Sequence, residues 1–371
     1  MSDPGSPTNP TRHGEILIWI PRISGFFSIL GSLVIINLII GNRRNRRENL
    51  KRVLNRLVLM ISFIDIPVSI ALVLTTIAVP PEDGQEERNK QYALTGNRAS
   101  CVAQGFFIQL GTAIPLYTAI LCIFYLCLLR FEMTEHTFSK RIEPFAHAIC
   151  FLFPLASSVF SAISGSFNQL GVYCWFSHYP RGCQNDAEIE CTRGQNSDLH
   201  SALFSVIPIF VAFLCVVISM ILIVLFVNRL STQSTSTLVY EQKETVTQAS
   251  LFIATFLLTY TFHVVHAIMI IITGNKMFYI IAYFHFSLYP LQGFCNALVY
   301  CRPIIGQLRK INPGKSIAWA MKILLFSPQR ISSNINPSSN DQPITSDVVE
   351  LNMIIADTQG TCVSSLSTPT I

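Results

Sequence analysis

Charge is what this sequence has least of. Acidic and basic residues make up 13% of its 371 positions, against roughly 25% in a soluble domain. So little charge cannot clothe a water-exposed globular surface, which excludes an ordinary soluble enzyme or binding domain. Also absent is any Asn-x-Ser/Thr triplet with a non-proline centre, so N-linked glycans are not expected. Residues 1–14 are polar and proline-rich, without a basic-then-apolar leader before the first long apolar run. Neither a cleaved secretion signal nor a large folded N-terminal region is expected there.

What fills the chain instead is hydrocarbon: half of the residues are apolar, 26 of them Phe. The apolar runs fall at 16–40, 54–79, 101–129, 144–165, 202–227, 249–273 and 277–301. Each is long enough to cross a bilayer as a helix. The expected fold is therefore all-α, a seven-transmembrane-helix bundle. Of the 26 basic residues, 18 fall in the first, third and fifth gaps (Arg56 counted with the first) and in the C-terminal stretch. Basic loops stay on the cytoplasmic side, so the N-terminus is expected outside and the C-terminus inside. The run of arginines between the first two spans is read as attraction to anionic lipid, at about 1 kcal/mol per basic residue. A nucleic-acid partner is not expected of a loop so placed.

Polar residues inside the spans carry the functional reading. Asp65 lies midway along the second, where a charged carboxylate costs about 2.5–3.5 kcal/mol unless it is partnered or protonated. It is either a functional group or a neutral acid bonded to a neighbour, with Ser32 in the first span and Asn296 in the seventh as candidate partners. The stretch 280–302 holds Gln292, Gly293 and Asn296 among apolar residues, which asks for burial against other helices. His263 and His266 share one face of the sixth span, and His285 lies in the seventh. Together with Gln109 in the third they are candidates to line a ligand cavity; interhelical hydrogen bonding is the plainer reading, and no ligand pattern for a metal accompanies them. Pro115, Pro154, Pro208 and Pro290 fall within spans and are expected to kink them.

Most of the 11 cysteines lie in apolar runs, where a thiol is a small hydrophobe. Cys101 and Cys174 sit at the expected outer surface and are expected to pair; Cys183 and Cys191 are a possible second, local bridge. Beyond Tyr300, residues Ile304, Ile305, Leu308 and Ile311 recur at helical spacing opposite basic side chains, the pattern of a short helix on the membrane surface. The chain is thus divided into a short outer tail (1–14), a seven-helix domain with its surface helix (15–312), a possible interfacial segment (313–326) and a tail (327–371). That tail holds 14 Ser/Thr, and is expected to be disordered, cytoplasmic and open to phosphorylation.

These residues together resemble the G-protein-coupled receptors. Gln292-Gly293-Phe294 with Ala297, Tyr300 and Cys301 resembles the secretin-type seventh helix, as Tyr125-Leu126-Cys127 and Gly31-Ser32-Leu33 resemble that group's third and first helices. Asn55 with Asp65, and Asn296-Ala297-Leu298-Val299-Tyr300, resemble rhodopsin-like patterns, a mixture similar to the cAMP-receptor-like proteins. The resemblance implies a plasma-membrane receptor that is not an enzyme and needs no cofactor or metal. Its implied partners are a small extracellular ligand, a heterotrimeric G protein, membrane lipid, and a kinase or arrestin-type protein on the tail. Ser32, Asp65, Gln292, Asn296 and Tyr300 would form a polar switch, and Tyr125, Arg130 and Arg229 would face the G protein. A retinal photoreceptor needs a lysine in the seventh span, which has none. The alternative is a transporter or channel, although repeated halves and paired mid-membrane charges are missing.

Overall fold

A computed structural model describes residues 10–41, 46–81, 86–180, 183, 189–230, 238–273 and 279–326. The side chain of Arg229 and the tail from 327 onward lie outside the described residues. Six helices are long and apolar enough to cross a membrane: Gly14–Gly41, Val53–Ala78, Arg98–Arg130, Glu143–Ile163, Ser197–Phe226 and Glu244–Met269. The seventh crossing is two shorter helices, Tyr279–Leu288 and Gln292–Ile311, joined by the 3-10 turn Tyr289–Leu291. The chain is a multi-pass helical bundle.

Each of the four expected kinks coincides with a departure from regular α-helix. The third span breaks at Gly111 and Thr112, just before Pro115. The π turns Ala148–Leu152 and Ala202–Val206 precede Pro154 and Pro208, and Pro290 lies in the 3-10 turn. A proline ring has no N–H and crowds the carbonyl four residues back, which it leaves without its helical donor. Neighbouring spans supply the missing donor. Gln109 Nε2 donates to the carbonyl of Phe204, four residues before Pro208, at 2.8 Å. Gln248 Nε2 does the same for Val299, four before Pro303, at 2.8 Å, and the Ser24 hydroxyl reaches Phe286, four before Pro290, at 3.4 Å. The helix is thereby tied to a neighbour at Pro208, Pro290 and Pro303.

The third span is the most enclosed of the six, with Tyr117, Leu121, Phe124 and Tyr125 all buried. The fifth turns Val211, Ile218 and Leu225 outward, an apolar face suited to lipid. After the seventh span the helix runs on to Ile311, and a further helix, Ile317–Phe326, packs back on it with Leu308, Ala320 and Leu324 buried.

One small sheet interrupts the helical pattern. Strands β1 (Phe167–Leu170) and β2 (Tyr173–Phe176) pair antiparallel, with Phe167 opposite Phe176. The two-residue turn between them begins with Gly171 at φ +70°, a left-handed conformation that glycine adopts without strain. β1 lies so close to the third span that a Cβ on Gly105 would sit 2.6 Å from the Phe167 ring. The disulfide Cys101–Cys174 joins the third span to β2, and Cys183–Cys191 closes a local loop.

Candidate functional site

Two polar regions lie inside the bundle. The first is built on Asp65, which is 3% exposed. Ser28 and Ser32, one turn apart on the first span, both donate to its Oδ2, at 3.0 and 2.7 Å. The Ser28 oxygen in turn accepts the backbone N–H of Gly293 at 2.8 Å. Glycine is required at both sides of this joint. A Cβ on Gly293 would lie 2.2 Å from Asp65 Oδ2, and one on Gly31 would lie 2.6 Å from the Cα of Phe294. The first and seventh spans therefore pass in backbone contact, as small residues allow in membranes. Of the two expected partners of Asp65, Ser32 is in place. Asn296 is not: its side chain accepts from Gln292 Nε2 at 3.3 Å, one turn back on its own helix. Ser28, absent from the sequence reading, supplies the second bond.

From this joint a polar path runs along the seventh span towards the C-terminal end. The Thr259 hydroxyl of the sixth span donates to Gln292. Tyr300 donates to Asn55 Oδ1 at 3.1 Å, and Asn55 to the carbonyl of Asn49 at 2.9 Å. Beyond them the exposed ion pair Arg302–Glu244, 3.0 Å, bridges the seventh and sixth spans. The structure thus strings Ser32, Asp65, Gln292, Asn296 and Tyr300 along the seams between the first, second, sixth and seventh spans.

The second region is aromatic. His285 stacks on His266 (5.2 Å between centroids) and meets His263 at a tilt of 45° (4.8 Å), and Tyr289 stacks on His263 at 5.0 Å. Tyr260 and Phe286 complete the cluster. Nδ1 of His263, Nε2 of His266 and Nδ1 of His285 are all buried without a hydrogen-bond partner. Buried polar atoms rarely go unpaired, so three together are a feature to be explained. The rings stack rather than converge, and among the described residues no cluster has the make-up of a metal site.

The hairpin meets this cluster through Tyr173, whose ring lies 5.7 Å from that of Phe286. Its neighbour Cys174 is held twice. Besides the disulfide, its N–H donates to Gln104 Oε1 at 2.8 Å, while Gln104 Nε2 donates to the carbonyls of Ala71 and Thr75, both at 2.9 Å. One buried amide thus fixes β2 to the second and third spans.

Two expected placements are revised. Gln109 does not join the histidines; its amide serves Ser157 (3.1 Å) and the proline-freed carbonyl of Phe204. Tyr125 is 3% exposed with its hydroxyl unpartnered, so it faces the core and not a docking surface. Arg130 is exposed at the end of the third span. Near it lies an ionic centre that the sequence did not announce. Arg56 donates to both oxygens of Glu143, at 2.5 and 2.6 Å, and to Ser139 at 2.9 Å. His147 lies 3.4 Å from Glu143 and 3.0 Å from the Tyr117 hydroxyl. The loop helix Glu135–Arg141 docks here, its Glu135 accepting the N–H of Val53. Burial raises the Glu135 carboxyl pKa above its ordinary value, partly offset by that N–H and by Arg52 and Arg56.

No family model and no curated protein matches this sequence. The fold does have a match among solved structures. The crystal structure of squid rhodopsin superposes with a TM-score of 0.51 over 92% of this chain and 98% of that one, at 14% identity. At that identity the likeness is one of fold: the chain has the seven-helix fold of squid rhodopsin.

Proposed function

We propose that this protein is a G-protein-coupled receptor that binds a small extracellular ligand at the histidine cluster and activates a heterotrimeric G protein at the opposite end of the bundle. The observation that carries this reading is the set of three buried, unpartnered imidazole nitrogens beneath a disulfide-held hairpin. Buried polar atoms seek partners, and in a fold of this kind we read such a cluster as a binding surface. The N-terminus is placed outside by the basic-residue bias, which puts the disulfides in an oxidising compartment. A ligand shifts the bundle between states only by as much as it prefers one of them. Gln292, Thr259 and the Arg302–Glu244 pair join the sixth and seventh spans, and their rearrangement would open the C-terminal end. Arg130, exposed there, is the proposed contact for the G protein, with Arg229 at the end of the fifth helix and the Ser/Thr-rich tail available to kinases and arrestin-type proteins. Placement near the secretin and cAMP-receptor-like groups rests on Gln292-Gly293-Phe294 and its companions in sequence.

The test needs no ligand. The chain is co-expressed with a panel of heterotrimeric G proteins, and energy transfer between Gα and Gβγ is compared for wild type and Tyr300→Ala. Basal dissociation of one Gα class, altered by the substitution, is expected. Silence across the panel from a chain verified at the cell surface, with solute flux in its place, would replace the receptor by a transporter or channel.

A further inference from the structure

The histidine cluster also restricts what its guest can be. Resting on the receptor reading above, we propose that the ligand is a small monocarboxylic acid with an apolar or aromatic body, its carboxylate bound by the imidazoles of His263, His266 and His285. Three features of the site lead there.

The first is the set of nitrogens. His285 is 5% exposed, and its Nδ1 is unpartnered, as are Nδ1 of His263 and Nε2 of His266. A ring nitrogen bearing a proton donates to an oxygen anion, and which nitrogen bears it adjusts to the partner present. Each imidazole can therefore offer an N–H to an oxygen anion, and the two oxygens of a carboxylate can accept from more than one of them.

The second is the charge around them. Among the described residues, the titratable groups in ring contact with His285 are His263, His266 and Tyr289, and those in ring contact with His263 are His285, Tyr260 and Tyr289. No carboxylate is among these contacts to neutralise an ammonium, and burying an unpaired cation is costly. Asp65, the acid of the neighbouring spans, is committed to Ser28 and Ser32. Nor is there a guanidinium or lysine ammonium among these groups, which a doubly charged phosphate would call for. A single negative charge on two oxygens is what uncharged or singly protonated imidazoles can hold.

The third is the wall. Tyr260, Tyr289, Phe286 and Tyr173 surround the imidazoles with ring faces and edges, a lining for hydrocarbon or an aromatic ring and not for a second polar head.

The test uses three matched probes on the full-length purified chain: 3-phenylpropionate, 3-phenylpropanamide and 3-phenylpropylamine. They share a body and differ in the head group alone. Unfolding is followed with a thiol-reactive dye, because the free thiols Cys122, Cys127, Cys150 and Cys301 are buried until the bundle opens. The acid, at ten times its dissociation constant, is expected to raise the midpoint by about 2 °C or more, and the amide and amine are not. The acid's shift is expected to disappear in His285→Leu and in His263→Asn. An equal or larger shift with the amine or amide overturns the carboxylate assignment. So does a null result with all three probes, or a shift that survives both substitutions. Basal G-protein dissociation by wild type is scored separately, so a receptor with a different ligand is distinguished from a chain that does not couple.

Discussion

The Asp65 joint and the histidine cluster are both buried, both polar and both shared between spans, yet one is finished and the other is not. Asp65 takes two hydroxyl donors, and one of those hydroxyls takes a backbone N–H in return. Each imidazole of the cluster keeps a buried nitrogen to itself. A satisfied buried network specifies and holds a structure, whereas an unsatisfied one stands as a cost until something fills it. The comparison separates the part of the core that joins helices from the part that we propose receives a guest.

Substitutions test that separation, and they are ordered here by expected effect on unfolding in detergent. Gly293→Ala puts a methyl group into Asp65 and two serines; a loss of more than about 3 kcal/mol is expected, seen as failure to reach the surface in folded form. A protein that folds normally would show that the first and seventh spans can part easily. Asp65→Asn keeps the acceptor but buries an amide NH₂ beside two hydroxyls that donate; a loss of about 2 kcal/mol is expected. Thr259→Val leaves the Gln292 oxygen unpaired and is expected to cost about 1–2 kcal/mol. Glu244→Gln breaks an exposed pair, for which a loss below about 1 kcal/mol is expected, vanishing in high salt.

The smallest effect is the most telling. His285→Leu removes ring contacts of about 1 kcal/mol and also an unpaired buried nitrogen of similar cost. The unfolding midpoint is therefore expected to stay close to that of wild type. A loss as large as that of Asp65→Asn would mean that the cluster is a structural joint too, and the contrast would collapse.

Much of this was legible in the sequence where the signal is local. Seven apolar runs announce seven crossings because membrane thickness sets their length, and an acid at mid-span advertises its need for hydroxyls such as Ser32. Prolines mark their own kinks. What could not be read is which neighbour answers them. Gln109 looked like a ligand contact because a buried amide is polar; its task is the carbonyl that Pro208 frees on another helix, and that pairing exists only in three dimensions. The Arg56–Glu143 pair joins the ends of the second and fourth spans and was hidden for the same reason. Ser28 was within reach, one helical turn from Ser32. Tyr125 sat in a pattern associated with an inner surface, but its side chain turns towards the core. The hairpin left only a faint mark, the glycine-led pair Gly171-Val172, since neither Phe167–Leu170 nor Tyr173–Phe176 alternates polar and apolar residues.

The fastening of the hairpin bears on time as well as on structure. Tyr173 stands over Phe286, and the residue beside it is fixed by a disulfide and by Gln104. A guest that reached the proposed site past this hairpin would have to displace it, both on arriving and on leaving, and would exchange slowly. A receptor of this design would answer the history of its ligand over an interval, and smooth away its rapid fluctuations.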